Sequence, residues 1–144
     1  MKVSDAMTSQ VATAAPTDSV RKVAQVMAHV DSGAVPIVAD GKVVGLVTDR
    51  DIVLRVVAEG LSFDSPISAA MSEGEVQSVK AEDSLADATA KMAHHQIRRL
   101  VVLGEAGELT GILSLGDVAK DYGAKQVGKV LEEISEDPVD AAAQ

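Results

Sequence analysis

The chain has 144 residues, 47% hydrophobic, 24% charged and only 1% aromatic, which is typical of a globular protein with an aliphatic core. Its formal net charge of -9 argues against nucleic-acid binding, which depends on neutralising phosphates. The absence of cysteine excludes disulfides, thiol catalysis and thiolate metal sites. The sequence contains no apolar run long enough for a membrane span, and its first residues, MKVSDAMTSQ, lack the apolar centre of a secretory signal. We therefore expect a cytoplasmic location and no membrane association.

The first half of the chain predicts two helices and two strands. Apolar residues at Val20, Val23 and Val30 recur at helical spacing, and Thr17 or Ser19 is placed to cap that helix. Glycine accepts a positive φ, so Asp40-Gly41 predicts a tight turn between strands. The elements around this turn are the strands VPIV (35–38) and VVGLVT (43–48) and the helix DIVLRVV (51–57).

The second half repeats this pattern. ISAAM (67–71) resembles VSDAM (3–7), and Gly111 and Asp117 correspond to Gly45 and Asp51. Internal repeats of this kind indicate one structural unit used twice. The matching elements are a helix from about Ser84 to His95, the strands LVVL (100–103) and ELTGILS (108–114), and a helix from Leu115 to Tyr122.

The chain thus divides into repeat 1 (1–61), repeat 2 (62–123) and a remainder (124–144). Each repeat has the order β-α-β-β-α, which places the fold in the α/β (α+β) class. A small sheet with helices on one face leaves apolar surface uncovered, so we expect the repeats to pack as a pseudo-symmetric pair. In the remainder, KQVGKVLEEIS has the spacing of a short amphipathic helix, and SEDPVDAAAQ (135–144) is expected to be an acidic disordered tail.

The phrases GLVTDRD (45–51) and GILSLGD (111–117) permit two interpretations. Thr48 with Asp51, and Ser114 with Asp117, fit a capping box in which the hydroxyl and the acid satisfy backbone amides at a helix start. The same hydroxyl and carboxylate could instead contact a sugar phosphate, because a carboxylate accepts hydrogen bonds from adjacent ribose hydroxyls. The residues alone leave both interpretations open.

The doubled phrase, the apolar strands before it and HQIRRL (95–100), all in matching frames, resemble a tandem pair of CBS domains (a Bateman module) over about residues 1–123. The chain is also similar to small stand-alone bacterial stress-response members of that family. The resemblance implies a regulatory module, not an enzyme, that binds an adenosine nucleotide in the cleft between the repeats. AMP, ADP, ATP and NAD are the expected ligands, with S-adenosylmethionine as a further one.

The resemblance also implies roles for single residues. In such pairs the ribose aspartate of one repeat faces the basic residues of the other, and planar guanidinium groups suit phosphate. The main site would combine Thr48 and Asp51 for ribose, Arg98 and Arg99 for phosphate, and Leu46, Val76, Gln77 and Ile97 around adenine. The weaker site would combine Ser114 and Asp117 with the uncharged Gly33 and Ala34.

An alternative is an interaction or structural protein of the same fold that binds no nucleotide, since Gly33-Ala34 carries no charge and LVVL lacks the proline of many relatives. Under either interpretation we expect a homodimer formed through the helices of the repeats, and a protein partner of unknown identity. No metal site is expected, because the adjacent His94 and His95 point apart on a helix. No catalytic motif, such as a P-loop, stands out.

Overall fold

The computed structural model describes residues 1–72 and 76–136. They form two compact units. The first-repeat unit is Gln10–Val76, and the second-repeat unit joins Met1–Ser9 to the chain from Gln77 onward. The units therefore cut across the order of the repeats, because the first nine residues belong with repeat 2. Most of the expected disordered tail, residues 137–144, lies outside the described residues.

The chain contains both helices and strands, and this mixed composition confirms the α+β class. None of the helices in the described ranges has the length and apolar character needed to cross a lipid bilayer. The elements are α1 (Val3–Ala6), α2 (Val20–Val30), β1 (Ala34–Ala39), β2 (Lys42–Thr48), α3 (Asp49–Ile52) continued by a π-helix (Val53–Val57), a 3-10 turn (Ile67–Ala69), β3 (Ser78–Lys80), α4 (Leu85–His95), β4 (Arg99–Leu103), β5 (Leu109–Ser114), α5 (Leu115–Asp121) and α6 (Ala124–Ile134).

The first-repeat unit is built on an antiparallel hairpin. Strands β1 and β2 pair from Ala34 opposite Thr48 to Ala39 opposite Lys42. The turn between them places Gly41 at φ 76°, as the glycine there predicts. The expected strand ahead of α2 is reduced to a parallel bridge between Ala14 and Ile37. Aliphatic side chains from α2, the hairpin and the 3-10 turn fill the core beneath the sheet: Val20, Val23, Val35, Ile37, Val47 and Ile67.

The second helix of repeat 1 differs from the regular helix expected over 51–57. After Ile52 the chain forms a π-helix, in which the amide of Ala58 donates to the carbonyl oxygen of Val53 at 2.9 Å. This wider turn changes which side chains face inward. Val56 is fully buried, whereas Val53 and Val57 are exposed. A regular helix over 51–57 would place all three on one side.

The second-repeat unit contains a three-stranded sheet in the order β3-β4-β5. Strand β3 runs parallel to β4, and β5 runs antiparallel to it. On the free side of β5, Thr8 bridges to Ile112, so the N-terminal segment extends this sheet. Helices α1, α4, α5 and α6 contribute side chains to one core, which includes Val3, Leu85, Met92, Leu100, Leu113, Val118 and Val130.

Candidate functional site

The first GLVTDRD phrase forms the start of α3. Thr48 is the N-cap residue, and its Oγ1 accepts a hydrogen bond from the amide of Asp51 at 3.2 Å. In return, Oδ2 of Asp51 accepts from the amide of Thr48 at 2.9 Å. Oδ1 lies 4.0 Å from a guanidinium nitrogen of Arg55, a long and weak ion pair. One carboxylate oxygen thus serves the cap, and the other has no close hydrogen-bond donor among the described residues.

The second phrase repeats this arrangement at the start of α5. Oγ of Ser114 accepts from the amide of Asp117, and Oδ2 of Asp117 accepts from the amide of Ser114, both at 3.0 Å. The hydroxyl of Thr8 adds a long contact to the same carboxylate, 3.3 Å from Oδ1 and 3.4 Å from Oδ2. The capping interpretation is therefore confirmed for both phrases. Because a carboxylate has two oxygens, this role leaves acceptor capacity for a ligand.

The segment before β1 and the segment before β4 hold equivalent positions in the two repeats. The amide of Asp49 donates to the carbonyl oxygen of Gly33 at 3.0 Å, and the amide of Leu115 donates to that of Arg98 at 2.9 Å. In each repeat, the residue that follows Gly33 or Arg98 pairs across the hairpin with the hydroxyl residue of the capping box. Repeat 2 thus carries guanidinium groups at the two positions that Gly33 and Ala34 occupy in repeat 1.

A cavity of about 460 Å³ lies beside these arginines, entirely within the second-repeat unit. Arg98, Arg99, Ser114 and Gly116 are among the residues that line it. Among the described residues, the two arginines are the only charged side chains that line this cavity, so an anionic group is the ligand chemistry that it favours. The structure therefore brings Arg98 and Arg99 next to Ser114, a residue of their own repeat.

Part of the lining of this cavity was not foreseen from the sequence. It includes Val127 and Leu131 of α6, a helix that the amphipathic pattern indicates but does not assign to any site. The only available signal was the helical spacing of these residues, because the docking position of α6 depends on the packing of the whole unit.

The residues expected around adenine are divided between the units. Leu46 lies on β2 opposite Pro36 and is half-buried, and Val76 also belongs to the first-repeat unit. Gln77 precedes β3 in the second-repeat unit, where its carbonyl oxygen accepts from the amide of Val101 at 3.3 Å. Ile97 packs against the core of the same unit. None of these four lines the cavity beside the arginines.

Histidine and carboxylate side chains were also considered as metal ligands. The rings of His94 and His95 meet edge to face, with centroids 4.9 Å apart. Within residues 1–72 and 76–136, no three His, Cys, Asp or Glu side chains come together in a way that could hold a metal ion.

Comparison with known proteins identifies the family to which these repeats belong. The family model described as CBS domain matches residues 3–58 and again residues 67–123. The chain belongs to the CBS domain family. Both matches end before α6, so that helix lies outside the two matched repeats.

Individual relatives of this CBS-domain chain span nearly its whole length. CBS domain-containing protein YhcV of Bacillus subtilis is 41% identical over 134 residues, covering 92% of this chain and 94% of the relative. Hypoxic response protein 1 of Mycobacterium tuberculosis is 32% identical, covering 81% of each chain. A CBS domain protein from Pyrobaculum aerophilum, solved in complex with AMP, has a TM-score of 0.78 and 27% identity, covering 92% of this chain and 99% of its own.

Proposed function

We propose that this protein is a regulatory module that binds an adenosine nucleotide. The observation that carries the proposal is the cavity whose charged lining consists of Arg98 and Arg99. Guanidinium groups bind phosphate through paired hydrogen bonds. A family member with the same fold over nearly the whole chain is complexed with AMP, which supports AMP as the first ligand to test. ADP, ATP, NAD and S-adenosylmethionine are the other ligands of this class.

The proposed roles of the residues follow the chemistry of the ligand. Arg98 and Arg99 bind phosphate, Thr48 and Asp51 bind ribose, and Leu46, Val76, Gln77 and Ile97 surround adenine. Ser114 and Asp117, with Gly33 and Ala34, form a second and weaker site. Since Ser114 lies beside the arginines in the second-repeat unit, Asp117 is the alternative ribose acceptor, and experiment must decide between the two aspartates.

The test is calorimetric titration of AMP, ATP, NAD and S-adenosylmethionine into protein that has been unfolded, stripped of carried-over ligand and refolded. We expect binding of at least one of them. Arg98→Gln and Arg99→Gln should each weaken it roughly tenfold to a hundredfold, the usual loss for a hydrogen bond to a charged group. Arg21→Gln is the matched control, because Arg21 is an exposed arginine of the first-repeat unit that pairs with Asp64. Absence of binding with all four ligands would refute the proposal.

The ribose role is tested separately with Asp51→Asn and Asp117→Asn. An asparagine oxygen can still accept the capping amide, so the helix start is retained, but the new amide group cannot accept a ribose hydroxyl. We expect Asp51→Asn to weaken nucleotide binding and Asp117→Asn to have the smaller effect. A larger effect of Asp117→Asn would assign the ribose to the same repeat as the arginines.

Regulation requires that the ligand favours one arrangement of the protein over another. We propose that the arrangement it changes is the association of the chain with a second copy or with a protein partner. Exposed aliphatic side chains on the second helix of repeat 1, including Val53 and Val57, support a homodimer formed through the helices. Similarity to hypoxic response protein 1 supports a role in a stress response.

The second candidate function is an interaction module of the same fold that binds no nucleotide. The two capping boxes favour it, because they explain both hydroxyl–aspartate pairs without a ligand. Mass spectrometry of the protein denatured directly after purification distinguishes the candidates. Carried-over adenosine nucleotide supports the first candidate. A ligand-free protein that also gives no heat of binding supports the second.

A further inference from the structure

The lining of the cavity beside Arg98 and Arg99 also has an apolar part. Leu115 and Ala119 of α5 and Val127 and Leu131 of α6 contribute apolar side chains to it. An occupant would therefore meet two guanidinium groups and an aliphatic surface. This combination suits a ligand that joins an anionic group to an apolar or aromatic body.

Helix α6 packs on the second-repeat unit through contacts that leave part of its apolar face exposed to solvent. Val130 is buried in the core, and Val127 and Ile134 pack against that core. Leu131, in contrast, keeps 39% of its surface exposed although it lines the cavity. A ligand in the cavity would remove this side chain from water, which is favourable for binding.

The end of α6 is also tied to the segment that carries the arginines. The side-chain amide of Gln96 donates to the carbonyl oxygens of Glu133 and Glu136, at 3.3 and 3.1 Å. Such carbonyls at a helix end lack partners within the helix, so this contact helps to terminate α6. Gln96 is itself the left-handed residue that ends α4, two positions before Arg98. The segment that carries the arginines and the end of α6 are therefore joined by direct hydrogen bonds.

We propose that α6 is part of the ligand site. The phosphate of the nucleotide binds Arg98 and Arg99. In the arrangement in which Asp117 holds the ribose, the base packs on Val127 and Leu131 instead of on Leu46, Val76, Gln77 and Ile97, and occupancy stabilises the docked position of α6. The C-terminal helix thereby becomes the element through which this protein senses its ligand. This inference rests on the proposed function, since it concerns the same phosphate-binding arginines, and it adds a specificity-determining wall from outside the family's repeats.

The experiment compares AMP affinity, measured by calorimetry, among variants of α6 in the full chain. Leu131→Asp should weaken AMP binding roughly tenfold or more, because it removes an aliphatic contact and places a negative charge beside the phosphate. Lys129→Asp is the control: it makes a larger change in charge at an exposed position of the same helix that does not line the cavity, so we expect less than a threefold change. Leu131→Ala, the milder variant, should weaken binding by about threefold and remains informative if the aspartate variant does not fold.

A second measurement follows hydrogen exchange of the α6 amides with and without AMP. We expect AMP to slow their exchange in the wild-type protein. If the wild type binds AMP but Leu131→Ala and Leu131→Asp bind it equally well, or α6 gains no protection, the role of α6 is refuted while the proposed function stands. If the wild type binds none of the four ligands, both proposals fail together.

Discussion

Thr8 and Ile112 exchange two backbone hydrogen bonds: the amide of Thr8 donates to the carbonyl oxygen of Ile112 at 2.9 Å, and the amide of Ile112 donates back at 3.0 Å. The N-terminal segment is thereby joined to β5, the last strand of the second-repeat unit. It also brings Val3 into the core of that unit, where the side chain is fully buried. Residues at the start of the chain therefore stabilise repeat 2.

The contribution of this segment can be measured at Val3. We expect Val3→Ala to lower the free energy of unfolding by about 1–3 kcal/mol, because it leaves a cavity in the core of the second-repeat unit. Urea denaturation provides the measurement. Val44→Ala is the control, since Val44 is 42% exposed on β2, and it should cost less than 1 kcal/mol. Equal losses for the two variants would mean that the N-terminal segment adds nothing to stability.

The glycines of the doubled phrase predict an asymmetric response to substitution. A Cβ added at Gly111 would stand 2.6 Å from the carbonyl oxygen of Thr8, a backbone atom that cannot move aside without breaking the bridge. At Gly45 the added carbon would meet the flexible end of the Met71 side chain. We expect Gly111→Ala to cost about 1–3 kcal/mol in unfolding free energy and Gly45→Ala distinctly less. Thermal denaturation of the two variants in parallel tests this, and the reverse order would contradict it.

Asp18 makes stability depend on pH. Its carboxylate accepts from the amide of Ala15 at 2.8 Å and from the ammonium group of Lys22 at 3.1 Å. The backbone hydrogen bond first, and then the Lys22 side chain, lower the pKa of Asp18 below its ordinary value of 3.8. The resulting stabilisation is present above about pH 4 and is lost as the pH falls through the lowered pKa.

We therefore expect Asp18→Asn to reduce stability at pH 7 and to reduce it much less at pH 3. Denaturant titrations at both pH values measure the difference. Asp64→Asn serves as the control, because the carboxylate of Asp64 makes only a long, exposed ion pair with Arg21, at 3.6 Å, among the described residues. A loss for Asp18→Asn that is the same at both pH values would show that the carboxylate charge is not involved.

The exposed side of the π-helix provides a test of self-association. Val57 is 55% exposed and Val53 is 54% exposed, both on the π-helix of the first-repeat unit. We expect Val57→Asp to weaken dimer formation at least tenfold, because it would bury a charge in an apolar interface. Sedimentation velocity over a range of concentrations is the measurement. Val44→Asp, which adds the same charge on β2, should leave association unchanged, and a monomeric wild type would contradict the homodimer.

Local features of the fold could be predicted well from the sequence. Ser19 and Ser84 are the N-cap residues of α2 and α4, close to where the sequence predicts these helices to begin. Such starts can be predicted because an N-cap depends only on a hydroxyl and the next few amides. The strand predicted at 35–38 is present and extends by one residue at each end. The same locality explains the two capping boxes, which were one of the two interpretations that the spacing of hydroxyl and acid permits.

Features that depend on distant residues could not be predicted. The assignment of Val3 and Thr8 to the second-repeat unit rests on contacts with residues far along the chain. Whether Leu131 lines the cavity depends on where α6 docks. The π-helix likewise changed which valines face inward, since a 3.6-residue period assumes a regular helix.

The joining of the first nine residues to β5 has a consequence for biosynthesis. A ribosome releases the segment around Thr8 early, yet its partner strand emerges only after repeat 1 has been made. Val3 and its neighbours therefore lack their native contacts while repeat 1 is already available to fold. Completion of the second unit is in this sense a late event, which follows the synthesis of β5.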